Sequence, residues 1–352
     1  MARVEKVNQH YVFQAYLKAW CSETSKLCWV RDKNGIEEKS PKAVAYEERF
    51  HRVEGFTDEE VKVYHRLVDT NLPSHLRAKA KDILVGLQTP DRLLQEWDSL
   101  MEATTNIFEG DSEKSREEID ELDNTVRLEL EIEKTNLLED IHGWLETQAG
   151  RWLKSLKSGD ANFYRPQKQH IRNYRLEGEP DDTVITEKSR FLLFLATQFC
   201  RTKKMREIES RKLRKGMELL SQLKRCDPPQ LDYQKIVGIF LTEALAPTLA
   251  EHMEGLGAKL SILRNTTSVP FITSDQPVIN LMYDYSIPTQ LTNEIILYYP
   301  VSPSVAIILN DDSLPAQLDL TIEQVQNYNG RMKKASYEYL FSNDRESLER
   351  IC

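Results

Sequence analysis

Three short stretches, far apart in the chain, set polar, proton-handling or phosphate-binding side chains beside apolar residues that would anchor them: Asn8 to Lys18, Thr197 to Thr202 and Phe271 to Val278. His10 and Gln14 are four residues apart and share a face if the segment is helical. An imidazole titrates near neutrality, so His10 can act as general acid or base. Gln198, Arg201 and Thr202 lie on the apolar-to-basic boundary of a helix starting near Thr186, behind the apolar run Phe191 to Leu195. Arg201 is thereby placed at the edge of the core, where a guanidinium needs a bidentate partner. That partner is either a carboxylate such as Asp275, which makes the pair structural, or the phosphate of a ligand. Thr273-Ser274-Asp275-Gln276-Pro277 ends a strand with polar side chains, and Pro277 has no amide donor with which to continue pairing. A carboxylate fixed at such a strand end suits a general base or a divalent-metal ligand. The plainer alternative is an Asx turn, in which Asp275 accepts its own downstream amides.

Read as one site assembled from both ends of the chain, these residues point to hydrolysis of a nucleic-acid phosphodiester. His10, with Gln14, would supply acid or base catalysis, Arg201 would stabilise phosphate charge, and Asp275 would bind a metal or orient His10. Gln198, Thr202, Lys203, Lys204 and Ser274 would contact substrate. Ser274 lacks a flanking glycine elbow and is not expected to be a nucleophile. Glu47 and Glu48 could join Asp275 around metal, and Tyr283, Tyr298 and Tyr299 could stack on bases, although aromatics in strands belong more often to a core. Two other classes of function remain open: a recognition pocket for nucleotide or nucleic acid without turnover, and a structural or scaffold protein that docks a partner. There is no Walker loop, dinucleotide fingerprint, His-Glu-x-x-His helix or paired Cys-x-x-Cys.

The chain that must position these residues has 352 residues, 40% of them apolar, enough for a substantial core. It contains no apolar run of membrane-spanning length, and its first residues do not read as a secretory signal, so no membrane partner and a cytoplasmic location are expected. Five scattered cysteines fit reduced thiols. The 47 basic and 56 acidic residues give a net charge of −9, against a surface uniformly adapted to nucleic acid. A local exception is the basic run from Arg201 to Arg225, which reads either as a phosphate-binding face or as a solvated helix paired with the acidic segment Glu109 to Asp140.

The fold class that follows is α+β, in a single domain over 1–352. Leu27 to Val53 reads as an N-terminal β-hairpin, with Asn34-Gly35 supplying a tight turn, then a proline-started helix behind Ser40 and a short extended piece at Phe50 to Val53. Residues 57–254 read as a large helical middle, with helix starts at Thr57, Thr89 and Thr186. Within it, Ile119, Leu122, Val126, Leu130, Leu137, Ile141, Trp144, Leu145 and Trp152 form the stripe of a long amphipathic helix over 112–156, a surface for a protein partner or self-association. Residues 159–182 read as loop. Strand signals return over 260–341 as a mixed or antiparallel sheet, with a closing helix from Thr321 to Ala335.

The first and last polar motifs also resemble a bacterial family, domain of unknown function 4238 (DUF 4238). Its members open with a His-Tyr-Val-Pro-Gln-x-Tyr-Leu type motif and carry a Thr-Ser-Asp-Asn-Pro-Val type strand end. Here the corresponding residues are His10, Tyr11, Val12, Gln14, Tyr16 and Leu17, and Thr273 to Val278, with Phe13 where the family has proline. The resemblance runs from Asn8 to about Phe341. It implies no settled activity, and a defence or toxin-like role is its only functional implication.

Overall fold

The computed structural model describes residues 3–107, 113–165, 186–285 and 294–351. The expected loop at 159–182 lies largely outside them. The architecture is α+β, with helices occupying the long middle of the sequence and strands at both ends.

The chain opens with β1 (Asn8–His10), the single-turn α1 (Gln14–Leu17), the hairpin β2 (Cys28–Asp32) and β3 (Gly35–Lys39), and β4 (Tyr46–Glu48). The hairpin turn differs from a tight Asn-Gly turn. Only Gly35 has positive φ, at 138°, and Asn34 is held instead by a 2.7 Å bond from its N–H to the Asp32 carboxylate. Ser40 caps a short 3-10 turn at Pro41–Ala43, whereas Phe50 to Val53 is a loop and not an extended piece.

The helical middle comprises α2 (Asp58–Asn71), α3 (Ser74–Leu87), α4 (Thr89–Ile107), α5 (Glu113–Lys157), α6 (Glu187–Cys200), α7 (Lys203–Lys224), α8 (Tyr233–Ile239), a π-helical segment (Phe240–Leu245) and α9 (Ala246–Gly255). Capping boxes at Thr57 and Thr186 satisfy the first amides of α2 and α6. At 45 residues, α5 is a strut crossing the molecule. Its inward face shares only part of the expected stripe. Leu138, Leu145, Ala149, Trp152 and Leu156 are buried, while Leu122, Ile141 and Trp144 are exposed.

The C-terminal part carries β5 (Leu260–Arg264), β6 (Thr273–Ser274), β7 (Ile279–Asn280), β8 (Leu297–Ser302), β9 (Val305–Leu309), β10 (Gln317–Asp319), α10 (Ile322–Ala335), β11 (Leu340–Ser342) and α11 (Arg345–Arg350). A five-stranded sheet has the order β10-β5-β9-β8-β7, with β10 and β5 parallel and the other pairs antiparallel. A second sheet, β3-β2-β11-β6, joins the N-terminal hairpin to the C-terminal strands, and β1 pairs only with β4. The two ends of the chain are thus one layer and not separate modules. Tyr16 and Trp20 seal them by donating hydrogen bonds to the carbonyls of Pro300 (2.8 Å) and Phe271 (3.1 Å). No helix among the described residues is long and apolar enough to cross a membrane.

Candidate metal centre and the cleft beside it

The loop after β4 is built to present His51. Arg49 takes left-handed backbone, φ 53°, uncommon for a residue with a Cβ. Its N–H is fixed to the Val7 carbonyl at 2.7 Å, and the Arg52 N–H closes onto the Arg49 carbonyl at 2.9 Å. Buried Gln9 clasps the loop to α5: its side-chain oxygen accepts the His51 N–H at 2.5 Å and its nitrogen donates to the Thr135 carbonyl at 2.7 Å. Val53 N–H donates to the Lys134 carbonyl, and Arg52 pairs with Glu131 at 2.5 Å. His51 is thereby laid over the middle of α5.

There α5 carries Glu139, His142 and Glu146 at spacings of three and four, which place them on one face. His51 and His142 are only 2% and 3% exposed, and their rings meet edge to face with centroids 4.6 Å apart. One donor atom from each of His51, Glu139 and His142 lies within 4.8 Å of the others. Glu243, on the π-helical segment, places a carboxylate oxygen 3.9 Å from His142 Nε2. Such segments recur at functional sites because the extra residue in the turn re-aims side chains. His51 Nε2 and both ring nitrogens of His142 are buried with no hydrogen-bond partner, an arrangement that demands explanation because buried polar atoms are nearly always satisfied.

The electrostatics match a ligand set. Burial drives both imidazoles well below their ordinary range, and the nearby Arg201 and Arg206 guanidinium groups push the same way, so both rings are neutral, the metal-binding form. Burial pushes the Glu139 and Glu243 carboxyls up to about 7, so a cation would displace a proton readily from either. Two imidazoles and one or two carboxylates suit Zn²⁺, Mn²⁺ or Fe²⁺. Metal–ligand bonds of about 2.0–2.2 Å would require the side chains to draw in by about an ångström.

His51 also walls a cleft of about 620 Å³ that Phe50, Arg52, Arg206, Lys235, Gly238 and Thr242 help to line. Arg206 donates to the Phe50 carbonyl at 3.1 Å and lies 3.8 Å over the Phe50 ring.

The residues singled out in the sequence fall in several places. No hydrogen bond or ion pair among the described residues joins His10, Arg201 and Asp275 to one another. Arg201 is buried, but its partner is neither Asp275 nor an open phosphate position: it pairs with Glu146 and donates to Gln198 Oε1 at 3.3 Å. Arg201 Nε and Gln198 Nε2 remain unpartnered. The second and third motifs do meet, through the Thr202 hydroxyl and the Gln276 side chain, while Thr202 also caps α7.

Asp275 is buried and accepts the backbone N–H groups of Tyr337 (2.8 Å), Glu338 (2.6 Å) and Tyr339 (3.1 Å). These amides lie over sixty residues downstream, so the arrangement is not an Asx turn. With both oxygens occupied, Asp275 clamps the connection from α10 to β11, and the group of side chains among the described residues that could hold a metal ion is His51, Glu139 and His142. Ser274 is buried and donates to the Gln276 carbonyl at 3.0 Å, out of reach of a substrate.

His10 is half-buried with Gln14 Nε2 3.0 Å from its Nδ1, and burial lowers its pKa despite backbone hydrogen bonds at Lys42 and Pro41. The first motif supports the centre through Gln9, whose side chain holds the His51 loop to α5. Lys203 pairs with Glu47 at 2.8 Å and Glu338 at 3.6 Å, and Lys204 donates to the Ser336 carbonyl. Arg211 and Lys212 pair with Glu207 and Glu209. Among the described residues, four of the ten basic side chains from Arg201 to Arg225 thus pair with acids, Arg201, Lys203, Arg211 and Lys212. Glu48 lies on exposed β4, and Tyr298 and Tyr299 are core residues stacked on Tyr328 and Tyr16.

Sequence reasoning missed His51, Glu139, His142, Glu146 and Glu243. The available signal was Glu139-x-x-His142-x-x-x-Glu146, three polar residues at helical spacing inside an otherwise apolar stripe.

The molecule is thus an α+β protein whose helical middle encloses a cluster with metal-ligating chemistry, reached beside a cleft between the helices and the N-terminal loop. It belongs to the family described as "Protein of unknown function (DUF4238)", which matches residues 8–346. No curated protein and no solved structure matches the chain.

Proposed function

We propose that this protein is a metal-dependent phosphodiester hydrolase acting on nucleic acid or a nucleotide, with its centre at His51, Glu139 and His142 and with Glu243 as a fourth ligand or base. The observation that carries the reading is the set of three buried, unpartnered imidazole nitrogens facing two carboxyls pushed up to about 7, beside a cleft that contains a guanidinium. A bound divalent ion would supply Lewis-acid polarisation and a nucleophilic water at neutral pH. Glu243, if not a ligand, would serve as the general base beside the centre. Arg206 supports charge developing on the phosphoryl oxygens. Arg201, paired with Glu146, holds the inner wall and does not reach substrate. The defence or toxin-like setting implied by the family resemblance belongs to the same proposal.

The test is turnover of bis(p-nitrophenyl) phosphate by the full chain with Zn²⁺ or Mn²⁺. Activity that requires metal and disappears in a folded His142→Ala variant supports the reading. Metal-independent activity, or none with any divalent ion, contradicts it. A protein partner is a second reading, favoured by one feature: α5 leaves Leu122, Leu128, Ile141 and Trp144 exposed along its length.

A further inference from the structure

The cationic side chains around the cleft differ in one respect. Arg49 pairs with Glu5 at 2.7 Å, Arg52 with Glu54 and Glu131 at 2.5 Å, and Lys235 with Glu60 at 2.6 Å. Arg206 has no carboxylate within ion-pair distance among the described residues, and the one hydrogen bond its guanidinium donates goes to the Phe50 carbonyl. Two acids of the cleft wall act on Arg206 electrostatically and are themselves engaged: Glu47 with Lys203, and Asp232 in capping the Lys235 N–H at the start of α8.

Space for the guanidinium is made by Gly238. A Cβ there would stand 3.0 Å from Arg206 Cζ and Nε and 3.1 Å from Nη2, so any larger residue would displace the group. Arg206 is half-buried, and desolvation lowers its pKa to about 10 against the opposing pull of Glu47 and Asp232. A guanidinium has five N–H donors in a planar fork that matches the oxygens of phosphate.

We propose that Arg206 is the seat for one phosphate group, and that the natural ligand is a small phosphorylated molecule of nucleotide size. The catalytic consequence rests on the metal-hydrolase reading above; the binding itself does not. Size supports a small ligand, since about 620 Å³ is in the range of small-molecule pockets. Charge supports it too. A strand of nucleic acid needs a track of free cations along its backbone, whereas along α7 Lys203, Arg211 and Lys212 are paired with acids, Lys215, Lys224 and Arg225, unpaired among the described residues, do not line the cleft, and the whole chain carries −9. Position completes the argument. Arg206 and His51 line the same cleft, so a phosphate seated there is beside the cluster.

The experiment is calorimetric titration of the full-length, EDTA-treated protein with inorganic phosphate, adenosine monophosphate and a 20-nucleotide single strand. Expected are one phosphate site per chain, a tenfold or greater loss in Arg206→Met, and unchanged phosphate binding in Arg211→Met, an exposed arginine of the same helix paired with Glu207. The strand should bind no more tightly than the mononucleotide and with a shallow salt dependence. Failure of the metal reading would leave these results standing, and failure of the seat would leave metal binding standing. Wild-type phosphate affinity in Arg206→Met overturns the proposal, as does tight strand binding with a steep salt slope. Should Arg206→Met fail to fold, Gly238→Ala answers the same question by moving the guanidinium without removing it, and unchanged phosphate affinity there overturns the seat.

Discussion

Replacing Gly238 by alanine should leave the fold as stable as before, or more so, while weakening the anion site. Gly238 is buried in α8, where alanine gains about 1 kcal/mol in helix propensity and about 0.8 kcal/mol for a buried methyl. Against this, the new Cβ would stand 3.0 Å from Arg206 Cζ and Nε. Carbon contacts are favourable near 3.5–4.0 Å, so the guanidinium must retreat by about 0.5 Å or more. That retreat loosens its 3.1 Å bond to the Phe50 carbonyl, a loss of about 0.5–1.5 kcal/mol. The terms leave a net gain of about 0.3–1.3 kcal/mol, and the melting temperature should rise by no more than about 4 °C. A bidentate fork displaced by about 0.5 Å is at its tolerance. Losing one charge-assisted bond of about 1.5–3 kcal/mol corresponds to roughly 10–100-fold weaker phosphate binding. A thermal melt and a phosphate titration on the same sample suffice. Unchanged affinity with a raised melting temperature would refute the role given to Arg206, and a large fall in stability would show that Gly238 makes room for something other than that side chain.

Two further perturbations separate architecture from chemistry. Burial pushes the Asp275 carboxyl up to about 6 although three backbone amides favour its charged form; against an unfolded value near 3.9, the native state binds the proton more tightly between about pH 4 and 6. Its contribution to stability therefore falls as pH rises through that window, and wild type should lose about 2–3 kcal/mol relative to Asp275→Asn between those limits, measurable by denaturant titration, whereas a constant difference would show that Asp275 does not titrate there. For the buried pair, Arg201→Met or Glu146→Gln should each destabilise by about 3–5 kcal/mol, with the double variant well short of the sum; strictly additive losses would mean that the two side chains do not depend on each other.

Much of the scaffold was legible in the sequence because its signals are local. Thr57 and Thr186 announce helix starts through side chains that bond amides three residues away, and the runs at Leu260 and Val305 become neighbouring strands through their β-branched and apolar content. The pairing of the hairpin with β11 was not legible, because nothing near Trp29 or Val30 records a partner three hundred residues away. The candidate site was least legible. Glu139, His142 and Glu146 interrupt an apolar stripe, and the stripe reading favours Ile141 and Trp144, one residue out of phase. Only the loop that brings His51 over α5 and the π-helical turn that aims Glu243 show that the polar residues face inward. Arg201 was expected at the core edge but is fully buried, and its carboxylate came from α5 rather than from the strand end. The basic run of α7 was partly readable as self-neutralised, since Glu207 and Arg211 stand four apart.

The central claim is that His51, Glu139 and His142 hold a metal ion. Its most direct measurement is elemental analysis of the full-length protein after dialysis against Zn²⁺ and Mn²⁺ and removal of unbound ion, alongside His142→Ala and Glu139→Gln treated identically and checked by circular dichroism. One tightly held ion per chain in the wild type, lost from both folded variants, is the expected result. No retained metal in the wild type, or the same stoichiometry in all three proteins, would contradict it.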